Sequence, residues 1–263
     1  MIGRSGHVFA PDGARIAWRL DGPATAPVVV LCTMATAAMS VWDPLVADLA
    51  DDWQVLRHDR RGDGDSDAGA LETHSFATYA RDAFSAMDAC GARSAHVAGM
   101  AFGSRVAVRM ALDRPERLLS LALFDATGAP PAPEAERRAG SAQAARLRAE
   151  AGLPRREIDQ RWFARRDPAG AGLAIAALRG EPPWTEGLAT IAAPTLVACG
   201  EQDPNFAGAQ RMAREIPGAR FQAMPMTGHA SILDRPELVT RLLRDFVAEI
   251  EGRSTSRSEE RLG

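Results

Sequence analysis

The chain has 263 residues, 46% of them hydrophobic and 25% charged, with a formal net charge of −3. That balance suits a folded α/β protein, excludes fibrous and disordered classes, and has no basic or acidic half to mark a nucleic-acid or membrane-surface partner. All 31 Lys+Arg positions are arginine, and Tyr79 is the single tyrosine. Chemistry built on a Walker-A lysine, a pyridoxal Schiff base or a Tyr/Lys dehydrogenase pair is thereby excluded.

Short apolar runs alternate with amphipathic stretches along the chain. Two strands around residues 7–10 and 15–20, with no helix between them, predict an antiparallel opening hairpin. Val28-Val29-Val30-Leu31-Cys32 predicts a buried strand, and Trp53–His58 a second one ending in the turn Asp59-Arg60-Arg61-Gly62-Asp63-Gly64. Over residues 76–90 the helical repeat puts Phe76, Tyr79, Ala80, Ala83, Phe84 and Met87 on one face. A strand around His96-Val97-Ala98, a helix over 101–113 and a strand over Leu118–Phe124 follow. Residues 128–186 break this rhythm with helical stretches over Glu134–Glu150, Arg155–Arg166 and Ala169–Arg179. Helices inserted between two strands predict a helical cap on a core made of residues 1–127 and 187–251. The core resumes with a strand over Pro194–Cys199, another near Phe221 and a last amphipathic helix over 236–250. Residues 252–263 are polar and predict a frayed tail. Strand–helix alternation of this kind predicts a mostly parallel sheet with helices on both faces.

Cys32, Cys90 and Cys199 have no CxxC spacing and read as reduced, buried thiols. The five histidines form no HxxxH or HxH pair, so no metal site is expected. The first residues, Met1-Ile2-Gly3-Arg4-Ser5-Gly6-His7, lack a signal peptide's apolar core. No run approaches the about 18 apolar residues of a membrane helix. A cytoplasmic protein is expected.

The window carrying most chemical information is Gly99-Met100-Ala101-Phe102-Gly103, where a strand runs straight into a helix. Glycines two before and two after a central residue permit a sharp turn that presents that residue to a cleft. Further along come Gly200-Glu201-Gln202-Asp203-Pro204 and Thr227-Gly228-His229, then Asp234-Arg235-Pro236-Glu237 opening the last helix. With Asp59-Arg60-Arg61-Gly62 and Pro115-Glu116-Arg117, these pieces resemble the α/β-hydrolase family over residues 7–127 and 188–250. The resemblance implies a mostly parallel eight-stranded sheet with a cap. It places Asp203 as the acid, His229 as the base and Ala101 at the nucleophile position. It also makes Phe102 and Ala35 the backbone donors of an oxyanion hole. No cofactor is implied.

The departures from that family are informative. Alanine cannot attack a carbonyl, so acyl-enzyme chemistry through position 101 is closed to this chain. Thr33-Met34 stands where the family has His-Gly, with Met34 narrowing the approach, and Asp63 stands where it often has histidine. Several changes together favour divergence of the whole site over an isolated Ser→Ala change. Asp125 is a rival acid, Ser104 points away from the cleft, and Thr33, Met34, Met100 and Trp184 are candidate pocket residues. Trp162, Phe163 and Trp184 suggest cap packing or the lining for a small, partly apolar ligand. His58 and His96 read as core or edge residues and His74 as a surface loop residue. Arg137, Arg138, Arg146, Arg148, Arg165 and Arg166 read as a solvated face. The expected partner is a small-molecule substrate, with neither nucleic acid nor membrane; a homodimer is compatible with the sequence. Three functions remain open: an ester or lactone hydrolase silenced at position 101, a nucleophile-free acid–base enzyme, and a non-catalytic ligand-binding protein.

Overall fold

A computed structural model describes residues 3–128, 130, 132–153, 157–163, 170–180 and 187–253. Eight strands, β1 (Arg4–Phe9), β2 (Arg15–Asp21), β3 (Val28–Cys32), β4 (Gln54–His58), β5 (Ala95–Met100), β6 (Leu118–Phe124), β7 (Thr195–Gly200) and β8 (Arg220–Met224), form one sheet in the order β1-β2-β4-β3-β5-β6-β7-β8. β1 and β2 pair antiparallel as the expected hairpin, β2 also runs antiparallel to β4, and every other pairing is parallel.

Alternation along the strands sorts the core onto two faces. Val28, Val30 and Cys32 of β3 pack with Val97, Leu121 and Val197 beneath α2 (Phe76–Ala89), α3 (Phe102–Asp113) and α6 (Phe206–Glu215). Val29 and Leu31 face the other way, with Val55, Ala98 and Phe124, under α1 (Asp43–Leu49) and α8 (Pro236–Ile250). A strand buried on both faces has no polar side to alternate with, which is why β3 reads as an unbroken apolar run.

Between β6 and β7 the chain inserts α4 (Glu134–Glu150) and α5 (Gly170–Gly180). The helix expected over Arg155–Arg166 is, within the described part, only a 3-10 turn over Gln160–Phe163. Its remaining positions, residues 157–159 apart, lie outside the described residues, as does Trp184. The tail beyond Arg253 is likewise outside them. Helices α1, α6 and the one-turn α7 (Ser231–Asp234) are not among the expected elements; each is ten residues long or shorter.

Candidate active site

β5 ends at Met100, Ala101 takes φ 50°, ψ −108°, and α3 begins at Phe102. Both flanking glycines are required by close approach. A Cβ at Gly99 would collide with the Gly103 carbonyl, and one at Gly103 with the carbonyl oxygens of Cys32 and Thr33. The turn is pinned from beneath: Ala101 N–H donates to the Phe124 carbonyl at 2.8 Å. Ser104 donates its hydroxyl to the Gly99 and Phe124 carbonyls at 2.7 and 2.9 Å, so it braces the turn from the core, as expected. Phe102 N–H opens a helix whose first amides have no intrahelical acceptor. The Phe102 ring leaves the cleft, stacking at 4.7 Å on Phe76 and lying under the Arg60 guanidinium.

After β3 the chain turns at Ala35 and Thr36, the latter with φ 67°. Thr33 is buried, and its hydroxyl has no hydrogen-bond partner among the described residues. Met34 and Ala101 both lie against the α1/α8 side of the core, together with Trp162. Trp162 accepts a 2.7 Å bond from Ala38 N–H, so the inserted segment rests on the loop after β3. Met100 was expected to line a pocket; it is instead fully buried in the core, because its side of β5 faces the sheet's packed interior.

On the far side, β7 delivers Asp203 and the loop after β8 delivers His229. His229 Nδ1 lies 2.9 Å from Asp203 Oδ2. The Asp203 side chain is fully buried and that of His229 is 21% exposed, so the imidazole is the more open member of a largely shielded pair. Asn205 N–H donates to the other Asp203 oxygen at 2.9 Å, and the Asn205 amide approaches His229 Nδ1 at 3.4 Å. Burial pushes the imidazole toward its neutral form, yet the Asp203 bond and the charges of Asp203 and Asp125 outweigh it and raise its pKa above the usual value. Asn205 was not anticipated; a residue two beyond an acid carries no signal until the loop is folded.

Asp125, the rival acid, does not reach His229. Its oxygens accept from Ser231 N–H at 2.6 Å and Gly200 N–H at 3.3 Å, tying the segment that follows His229 to the end of β7. Burial first, and the nearby Asp203 charge second, push it up to about 7. Asp125, Cys199 and Asp203 are the one group of close-set metal-ligating types among the described residues. All three are buried, and both carboxylates already hold backbone N–H groups. Burial also pushes the Cys32 thiol up to about 12 and holds the Cys199 thiol well above the ordinary range, so neither is a nucleophile at neutral pH.

Three further sequence expectations need correction. Cys90, expected to be buried with the other two thiols, is only half-buried. His74 is not on the surface: it is buried, with its ring nitrogens 2.9 Å from Tyr79 Oη and 2.7 Å from the Ala68 carbonyl. Nor is Arg148 part of a solvated face; it is paired with Asp234 at 2.8 Å. Asp63 is buried beside Arg60 as an ion pair, which accounts for a carboxylate where the family often has histidine.

A doubly flanked elbow on a central parallel strand, with an acid and a histidine delivered by later strands, defines an α/β-hydrolase. The chain belongs to the alpha/beta hydrolase family, whose model matches residues 22–242. It is similar to RutD of Variovorax paradoxus, described as a carbamate hydrolase, with 28% identity over 89% of this chain and 96% of that one. It is also similar to 3-oxoadipate enol-lactonase 1 of Acinetobacter baylyi, with 25% identity over 91% and 96% of the two chains. Among solved structures, the enol-lactonase of Burkholderia xenovorans superimposes with a TM-score of 0.77 at 24% identity, covering 92% of this chain and all of that one.

Proposed function

We propose that this protein acts on a small, partly apolar molecule by general-base catalysis without a covalent nucleophile. The supporting observation is the pairing of an intact 2.9 Å His229–Asp203 contact with a methyl group at the strained elbow position 101. Asp203 holds the Nδ1–H tautomer, leaving the Nε2 lone pair to take a proton. The Phe102 amide, with that of Ala35, holds the oxygen on which negative charge develops. The proton comes either from an acidic C–H or O–H of the substrate, giving an enolate or phenolate, or from a water that then attacks a carbonyl. Ala101 leaves room there for substrate or water. The insertion carrying α4 and α5 serves as the cap.

A second reading is a family hydrolase of esters or lactones silenced at one atom. The elbow supports it, since a backbone conformation costing about 1–3 kcal/mol is kept where no nucleophile remains to be presented.

The discriminating experiment compares the chain with Ala101→Ser and His229→Ala on activated short-chain esters, lactones and enolisable ketones. Turnover by the unaltered chain, lost in His229→Ala, is expected. Its rate should rise with pH as the imidazole loses its proton, half-maximal above the ordinary 6.5 because the pKa is raised. Ester hydrolysis appearing only in Ala101→Ser would instead establish the silenced hydrolase. Binding without turnover in every variant would leave a ligand-binding protein.

A further inference from the structure

The inserted helix α4 is joined to the loops that carry His229 and Asp203 by three separate contacts, none of which uses the pair itself. Arg148, near the C-terminal end of α4, donates through Nη1 to the Met226 carbonyl at 2.7 Å and through Nη2 to Asp234 Oδ1 at 2.8 Å. Both side chains of this ion pair are 15% exposed. The other Asp234 oxygen accepts from Gly228 N–H at 2.8 Å. Arg148 thus grips the residues on either side of the turn leading to His229, one directly and one through Asp234. Two-pronged, charge-assisted bonds of this kind fix orientation as well as adding energy.

The second contact is backbone against backbone. Gly228 does not have a positive φ, so its small size answers to space: a Cβ there would sit 2.7 Å from the Ser141 Cα of α4. The third is at Gly140, where a Cβ would collide with the carbonyl oxygen of Gln202, next to Asp203. One turn of α4 therefore lies flush on the acid loop and the base loop at once. Those loops also bond each other, with Gln202 N–H donating to the Thr227 carbonyl and Thr227 N–H to Gln202 Oε1, both at 3.0 Å. The base loop needs such support, because Met226 and Ala230 bracket His229 at φ 55° and 70°, conformations that L residues hold only under surrounding constraint.

We infer that α4 is a positioning clamp for the His229–Asp203 pair, with Arg148 as its positioning residue. The inference rests on the reading of that pair as the general base, and couples it to the cap: whatever displaces α4 on admitting a ligand loosens the base. The charged groups facing His229 are Asp203, Asp125 and Arg137; Arg148 acts on it only through the loop.

The test uses the full chain, with Arg148→Met, Arg148→Lys and Gly140→Ala, and needs no substrate. Amide hydrogen exchange and the imidazole titration of His229 are followed by NMR. In Arg148→Met, exchange at Gly228 and His229 should quicken roughly tenfold or more while β5 and α8 keep their protection. The His229 midpoint should fall as its Asp203 bond loosens. Arg148→Lys should recover only part of this, a lysine lacking the fork that reaches two acceptors. Gly140→Ala, which lifts α4 from Gln202 with Arg148 intact, gives the same local signature should Arg148→Met fail to fold. Unchanged exchange and titration, or an equal quickening across the whole sheet, overturns the clamp. A base that proves inactive while the clamp signature appears overturns the functional reading alone.

Discussion

Ala101 carries the sharpest contradiction in the molecule: an L residue held at φ 50°, ψ −108° with no reactive group to show for it. Such a conformation costs of order 1–3 kcal/mol, and glycine pays almost none of it. Ala101→Gly is therefore expected to gain about 1 kcal/mol after the entropy lost to a freer unfolded chain, seen as a Tm rise of roughly 2–4 °C. A fall in Tm would mean the methyl's packing against the core outweighs the strain. Ala101, Asp203 and His229 were all legible in the sequence, because each sits at a strand end marked by glycine and their chain order is itself a signal. Arg148, Asn205 and His74 were not. Their roles depend on which distant segment arrives beside them, and an arginine on a polar helix looks the same whether it faces water or an aspartate.

At the scale of elements, local pattern serves where a segment carries its own start and stop. Ser75 caps α2, its hydroxyl accepting from Thr78 N–H at 3.2 Å, and the apolar face that follows is regular. Ser75→Ala should cost about 1 kcal/mol, a Tm loss of roughly 2–4 °C measurable by calorimetry. Pattern fails for α1, seven residues opened by a proline at its second position, and for α7, one turn long. Helices that short are marginal in isolation and form because the sheet beneath gives them something to cover. Between Glu157 and Phe163 the reverse occurred: helix-compatible residues form only a 3-10 turn over Gln160–Phe163, with Trp162 packed against the α1/α8 side of the core.

Across the whole molecule, charge burial stands out. Arg61 is fully buried, held by Asp82 at 2.7 Å and by Asp12 from the first hairpin at 2.6 Å, so the hairpin and α2 are fastened through one guanidinium. His58, at the end of β4, is buried near Arg60; burial foremost, then that charge, lowers its pKa from 6.5 to about 4. A depressed imidazole binds its proton more readily in the unfolded chain, so its contribution is present above pH 6.5 and is lost as pH falls through the window down to about 4. The gap corresponds to about 3 kcal/mol. Because Asp59 and Asp125 titrate in the opposite sense as they take up protons, the expected result is differential. The stability of the wild type relative to His58→Leu should decline by that order between pH 7 and pH 4 in urea titrations. A pH-independent difference would mean that His58 is not held neutral.

The sequence by itself determined the sheet, its opening hairpin, the elbow and the positions of Asp203 and His229 after later strands, because each follows from short-range periodicity, glycine sterics and residues that mark strand ends. It also determined that no hydroxyl stands at position 101. Only the tertiary structure decided that Asp203 and not Asp125 meets His229, that Met100 is core, and that α4 is bolted to both site loops. Those outcomes turn on distances between segments up to about a hundred residues apart, such as Asp125 and Ser231. No local pattern encodes such distances; they are fixed when the packed sheet sets which backbone N–H groups, carboxylates and guanidinium groups must satisfy one another out of water.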